Sequence, residues 1–195
     1  AAARPLPEPD PDPLARVEYE KHGVRAVLFL SRKREKQPEV SFGRDGLEVA
    51  RGQASPLFPC SGVATGELAL RPGFDGLELT EGQQTWLDVQ ARHLYGALVD
   101  LYRAKGRETW SDAEAAESHL REAVVRLHRA HESPTPPNGC RTLYGKLARF
   151  ALFRLTDGRR LKLSEVLHER PAELEPLGLW PGARAAPAGS GEPAK

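Results

Sequence analysis

Methionine is absent from all 195 positions, cysteine occurs only twice, and aromatic residues make up 7% of the chain. Each scarcity removes a class of protein. Two cysteines as far apart as Cys60 and Cys140 cannot build the dense disulfide framework by which small secreted domains compensate for thin cores, and we expect two free thiols. No run approaches the roughly 20 apolar residues that a spanning helix needs. The longest uncharged apolar stretch, residues 26–30, is only a strand's worth. The lack of methionine includes the first position, where the chain opens Ala-Ala-Ala-Arg-Pro, so an initiator removed or a longer precursor cut is the expectation. These residues lack the charged head and apolar stretch of a secretory signal, which favours an intracellular compartment, with a removed targeting peptide left open.

What is present is the composition of an ordinary globular protein: 39% apolar, 28% charged, mean hydropathy -0.51. The length fits one large domain or two small ones. The net charge of +1 conceals a strong asymmetry. Residues 57–100 carry Arg71 and Arg92 against six carboxylates, whereas residues 138–170 carry eight cations against three carboxylates. A smaller basic excess lies in residues 31–56, where Arg32, Lys33, Arg34 and Lys36 crowd together. Regional charge of this kind bears on partners rather than on fold.

The periodicity divides the chain. Residues 5–13 alternate proline with acid, a pattern that favours polyproline II, and residues 1–13 are expected to be a disordered arm in solvent. Residues 181–195 are Ala, Gly, Pro and Ser with little to bury, and we expect a disordered tail. Between them, residues 14–79 have the two-residue period of strands. Val24, Ala26, Leu28 and Leu30 form one apolar face, Val40 and Phe42 repeat the pattern, and Asp45-Gly46 suits a two-residue hairpin turn. An antiparallel meander of four to six strands follows from this, with Arg32 to Lys36 at a hairpin tip. Residues 80–180 switch to the helical period. Thr80 precedes the stripe Leu87, Ala91, Leu94, Leu98 and Leu101, which Gly106 stops. Ser111 with Glu114 has capping-box spacing for a second helix over residues 112–131. A proline-rich loop over residues 133–139 leads to a third helix, residues 141–155, ended by Asp157-Gly158, and a short fourth over residues 164–168. The fold class is therefore α+β, an N-terminal antiparallel β-meander followed by a C-terminal bundle of three to four helices. The segments 93–98 and 142–147 echo each other, either as a duplicated unit or as two amphipathic helices whose Gly96 and Gly145 mark close packing.

No catalytic motif stands out, and we expect neither a cofactor nor a metal. His128 and His131 share a helix face, but a metal site would need further ligands that no local spacing supplies. Cys140, just ahead of a helix N-terminus, is the more reactive thiol on sequence grounds. The third helix is the most informative element. With its apolar stripe turned inward, Lys146, Arg149, Phe150, Phe153 and Arg154 remain for the other side, where cations neutralise phosphates and rings stack on bases. Arg159, Arg160 and Lys162 extend that surface, and the basic loop Arg32, Lys33, Arg34 and Lys36 offers a second contact. The same residues also fit a helix buried on two sides with both phenylalanines in the core. Sequence alone thus points to a non-enzymatic nucleic-acid-binding or nucleoprotein accessory protein, DNA and RNA undistinguished. A protein-interaction or assembly subunit, using exposed aromatics, is the alternative, and an enzyme with a site assembled from His93, His119 and Cys140 is a third.

Overall fold

The computed structural model describes residues 4–33, 38–70, 77–132 and 140–169. Six strands form one sheet: β1 (Arg4–Pro5), β2 (Ala15–Lys21), β3 (Val24–Leu30), β4 (Val40–Arg44), β5 (Leu47–Gly52) and β6 (Ser61–Gly66). Two tight turns make its hairpins. His22-Gly23 joins β2 to β3 at φ of 53° and 71°, and Asp45-Gly46 joins β4 to β5 at φ of 52° and 79°. Two successive left-handed residues match the right-handed twist of the flanking strands. The short strands β7 (Ala69–Leu70) and β8 (Leu77–Glu78) pair separately before the helices begin.

The α+β class and its order hold, a sheet followed by four helices, but the connections are not all between neighbours. The strand order is β1-β5-β4-β6-β3-β2. β6 inserts between β3 and β4, antiparallel to the first and parallel to the second. Gly62 fits this central strand because a Cβ there would lie 2.5 Å from the Val27 carbonyl oxygen. The basic segment after β3 is consequently no hairpin tip. β3 and β4 are not paired with each other, and Arg34 and Lys36 lie outside the described residues.

The order also places β1 and β2 on opposite edges, so the proline-rich residues 6–13 cross the whole sheet. Five strand spacings come to about 24 Å, and eight residues of polyproline II span about 25 Å. At one end Leu6 N donates to Gly46 O at 3.0 Å, and the Leu6 side chain occupies the space that a Cβ on Gly43 would need. At the other, Leu14 N donates to Leu30 O at 2.8 Å, and Arg32 bonds both the carbonyl and the carboxylate of Asp12. From residue 4 onward the expected solvated arm is a strap on the sheet. Residues 1–3 and the expected disordered tail, 181–195, lie outside the described residues.

The helices cover the face carrying Val24, Ala26, Leu28, Leu30, Val40, Phe42 and Ala64, and one core runs through sheet and helices alike. Helix α1 (Glu81–Lys105) starts with a full capping box between Thr80 and Gln83 and ends at Gly106, as its sequence signals require. Gln83 continues past the cap, donating to Glu67 O at 3.0 Å and tying helix to sheet. Tyr95, fully buried, donates to Pro59 O at 2.7 Å and packs on Phe58. Helix α2 (Ala113–His131) lacks the capping box expected at Ser111. Asp112 is its N-cap residue, and the Asp112 carboxylate bonds Arg32 instead of the helix backbone.

The third helix departs most from its expected bounds. Helix α3 (Cys140–Leu147) ends early, and β9 (Phe153–Arg154) then pairs with β10 (Arg160–Leu161) as a hairpin turning through Gly158 at φ 87°. Asp157-Gly158 is thus a strand turn rather than a helix stop. Helix α4 (Leu163–Glu169) follows as expected. Neither glycine of the internal echo marks a close helix contact, since nothing stands within 4 Å of a Cβ built on Gly96 or Gly145. Among the described residues no helix is long and apolar enough to cross a membrane.

Candidate nucleic-acid interface

The early end of α3 changes which side chains face solvent. Across the β9–β10 hairpin Phe153 stands opposite Leu161, and both are buried, Phe153 at 1% exposure. Phe153 is therefore a core ring and cannot stack on a base. Phe150 is half-buried and packs edge-on against Tyr102 with ring centroids 5.3 Å apart. The aromatic half of the expected surface is turned inward because α3 ends at Leu147 and the strand alternation that begins at Phe153 replaces the helical periodicity.

The cations divide into three groups. Arg160 and Arg32 are built into the fold. Arg160 donates to Glu117 Oε2 at 2.6 Å, and the Glu117 side chain is only 2% exposed. Arg107 completes the pair from the other side, 3.1 Å from Oε1, and the Tyr102 hydroxyl donates to the same oxygen at 2.5 Å. A buried carboxylate satisfied by two guanidiniums and a phenol is a structural cluster, and burial with the neighbouring carboxylate pushes the Tyr102 hydroxyl above its ordinary pKa. Arg32 is shared between Asp12 and Asp112, holding the strap to the start of α2. Lys146 and Arg159 form the second group, in surface pairs with Asp100 at 3.9 Å and Asp157 at 2.5 Å. Lys33, Arg149, Arg154 and Lys162 form the third, exposed and without an ion pair among the described residues.

Three contacts bring Lys146, Arg149, Arg154, Arg159 and Lys162 to one end of the helical layer. Lys146 reaches Asp100 on α1, Phe150 packs on Tyr102, and the Glu117 cluster joins the start of α2 to the β9–β10 hairpin. The same contacts place the last turn of α1 beside them, with Arg103 and Lys105 exposed and Arg107 just beyond. Sequence reasoning missed Arg103 and Lys105 because they lie outside the basic segment, next to the acidic one. Their signal was available: basic residues in a last turn complement the partial negative charge of a helix C-terminus.

The described histidines singled out on sequence grounds sit in local contacts, His93 with its ring 6.4 Å from that of Tyr19. His119 is buried and donates to Ser31 O at 2.9 Å, while His128 and His131 stack on Tyr144. No group of three metal-ligating side chains occurs among the described residues. Both cysteines are free and buried. Burial, with Asp88 nearby, pushes the Cys60 thiol up to about 12. Cys140 is also raised, mainly by burial, so the helix N-terminus does not make it the reactive thiol its position suggested. The sequence matches no protein-family profile and no curated protein.

Proposed function

We propose that the protein is a non-enzymatic nucleic-acid-binding or nucleoprotein accessory protein whose contact surface is the cationic end formed by α1, α3 and the β9–β10 hairpin. The observation that carries this reading is the convergence there of Arg103 from α1, Lys146 from α3, Arg149 from the turn that follows and Arg154 from β9, fastened through Tyr102, Phe150 and Glu117. Exposed guanidinium and ammonium groups on a rigid base suit phosphate oxygens. The Lys146–Asp100 pair is exposed on both sides and long, so it exchanges readily for a phosphate. With Phe153 in the core and Phe150 on Tyr102, stacking contributes nothing from these rings. The surface holds a backbone and reads no bases.

This sets the test. Labelled duplex and single-stranded oligonucleotides of unrelated sequence, titrated across a salt series, should bind alike at low salt. Neutralising about four phosphates gives log K against log salt a slope near -3.6 on duplex and near -2.8 on a single strand. Strong sequence dependence or a flat salt series would remove the reading.

A further inference from the structure

A groove of about 590 Å³ runs between β2 and the first turns of α1. The alternation of β2 turns Tyr19 toward the helix, while Trp86, Val89 and Gln90 come from α1 at helical spacing. Two of these side chains are out of keeping with their surroundings. Tyr19 is a large ring left 44% exposed. Gln90 is the reverse, a polar side chain only 6% exposed, whose Oε1 is buried with no hydrogen-bond partner. It stands alone in this among the buried side chains of the described residues. Gln83, on the same helix and equally buried, is satisfied at both ends of its amide, with Oε1 accepting from Thr80 N at 3.1 Å and Nε2 donating to Glu67 O. Folded proteins seldom leave a buried amide oxygen unpaired, because its desolvation is not repaid. Here that oxygen belongs to a residue lining a groove, where a ligand can supply the missing donor.

We infer that the groove is a binding site for an adenine-type base, lying on the Tyr19 ring and donating its amino N–H to Gln90 Oε1. A carboxamide oxygen only accepts, so the ligand must bring a donor. Tyr19 and Trp86 offer aromatic faces, so that donor belongs on a flat ring. The carboxamide sets its own N–H beside the oxygen, which matches the amino group and adjacent ring nitrogen of adenine. The volume falls within the range of roughly 300–1,000 Å³ usual for small-molecule sites. Lys21 and His22 in the lining are balanced by Glu20 and Glu81, which favours a neutral nucleoside over a ligand carrying several phosphates. The same base chemistry is available from a free nucleoside or from an unpaired base in a strand. The inference does not rest on the cationic surface, since Arg103 lies about 20 Å farther along α1 than Gln90.

Calorimetric titration of the whole chain with adenosine tests this directly. One molecule should bind with a Kd on the order of 0.1 mM. N6,N6-dimethyladenosine, which has no N–H at that edge, should bind about tenfold more weakly. Gln90→Leu nearly keeps the side-chain volume and removes the acceptor. It should weaken adenosine binding by about tenfold, erase the preference over the dimethyl compound, and melt no lower than wild type, because no unpaired oxygen is then buried. Tyr19→Ala, at an exposed ring, should weaken both ligands by about tenfold through lost stacking. A short adenine-containing single strand, added at high salt, separates the two sources: displacement of adenosine assigns the groove to bases in a strand, and retention assigns it to a free nucleoside. Arg149→Glu/Arg154→Glu should leave adenosine affinity unchanged, so failure of the cationic surface and failure of the groove are distinct results. Absence of adenosine binding at millimolar concentration overturns the inference. A Gln90→Leu variant that still discriminates the two compounds as wild type does overturns it equally, by leaving the amide oxygen to water.

Discussion

Arg154 and Arg160 stand directly opposite each other in the β9–β10 hairpin, yet they belong to different regions of the molecule. Arg160 bends to the buried Glu117 carboxylate, where Arg107 and Tyr102 complete a closed set of partners. Arg154 points to solvent with no ion pair among the described residues, as do Arg149 and Lys162 nearby. Residue type and sequence neighbourhood are nearly the same, so neither decides the role. What decides it is access to a buried carboxylate. A guanidinium committed to Glu117 stabilises the fold and cannot be lent to a ligand, while one left in solvent adds little to the fold and is free to meet phosphate.

The comparison breaks most visibly from the buried side. Removing the Glu117 carboxylate with Glu117→Ala leaves Arg160 enclosed without its partner, and urea denaturation should show a loss of about 3–5 kcal/mol. Phe153→Ala, which opens a cavity under the same hairpin, belongs to the same range of about 3–5 kcal/mol. A loss under about 1 kcal/mol from Phe153→Ala would put that ring back on the surface. Tyr102→Phe keeps the ring against Phe150 and deletes only the hydroxyl bond to Glu117, so about 1.5–3 kcal/mol is expected in the same assay.

Alkaline pH probes burial from another direction. In the folded protein the Cys60 thiol stays protonated up to about pH 12, while in the unfolded chain it ionises near its ordinary value of 9.0. Between those values the folded state binds the extra proton, so stability must fall as pH rises through that window. Thermal melts of Cys60→Ala against wild type should show a flatter decline above pH 9, measured as the slope of Tm with pH. An identical slope would mean the thiol is as accessible folded as unfolded.

Much of this architecture was legible in the sequence, and the failures have a common cause. Thr80 and Gly106 bracket α1 because a capping box and a left-handed stop are local chemistry, readable without the rest of the chain. Asp45-Gly46 was readable as a hairpin turn for the same reason. Asp157-Gly158 carries the same signal, but it follows Leu143, Leu147, Ala151 and Leu155, a helical stripe that also satisfies strand alternation over its last few residues. Tertiary packing on Tyr102 and Glu117 settles that ambiguity, and no local pattern encodes it. The insertion of β6 between β3 and β4 was equally hidden, because strand periodicity specifies faces and not neighbours. At the candidate interface the cations were legible as a regional excess. Their division into buried and free was not, since it depends on Glu117, forty-three positions from Arg160 along the chain.

On the solvent side the expected effects on stability are the smallest and the effects on binding the most telling. Arg149→Glu and Arg154→Glu should each change folding stability by less than about 0.5 kcal/mol. The most direct test of the central claim, that these free cations are the ligand-facing ones, is the salt dependence of oligonucleotide binding for the double variant Arg149→Glu/Arg154→Glu beside wild type. A slope flatter by about two, with a melting temperature unchanged, is the result the account requires. An affinity and slope equal to those of wild type would contradict it and withdraw this surface as a nucleic-acid interface.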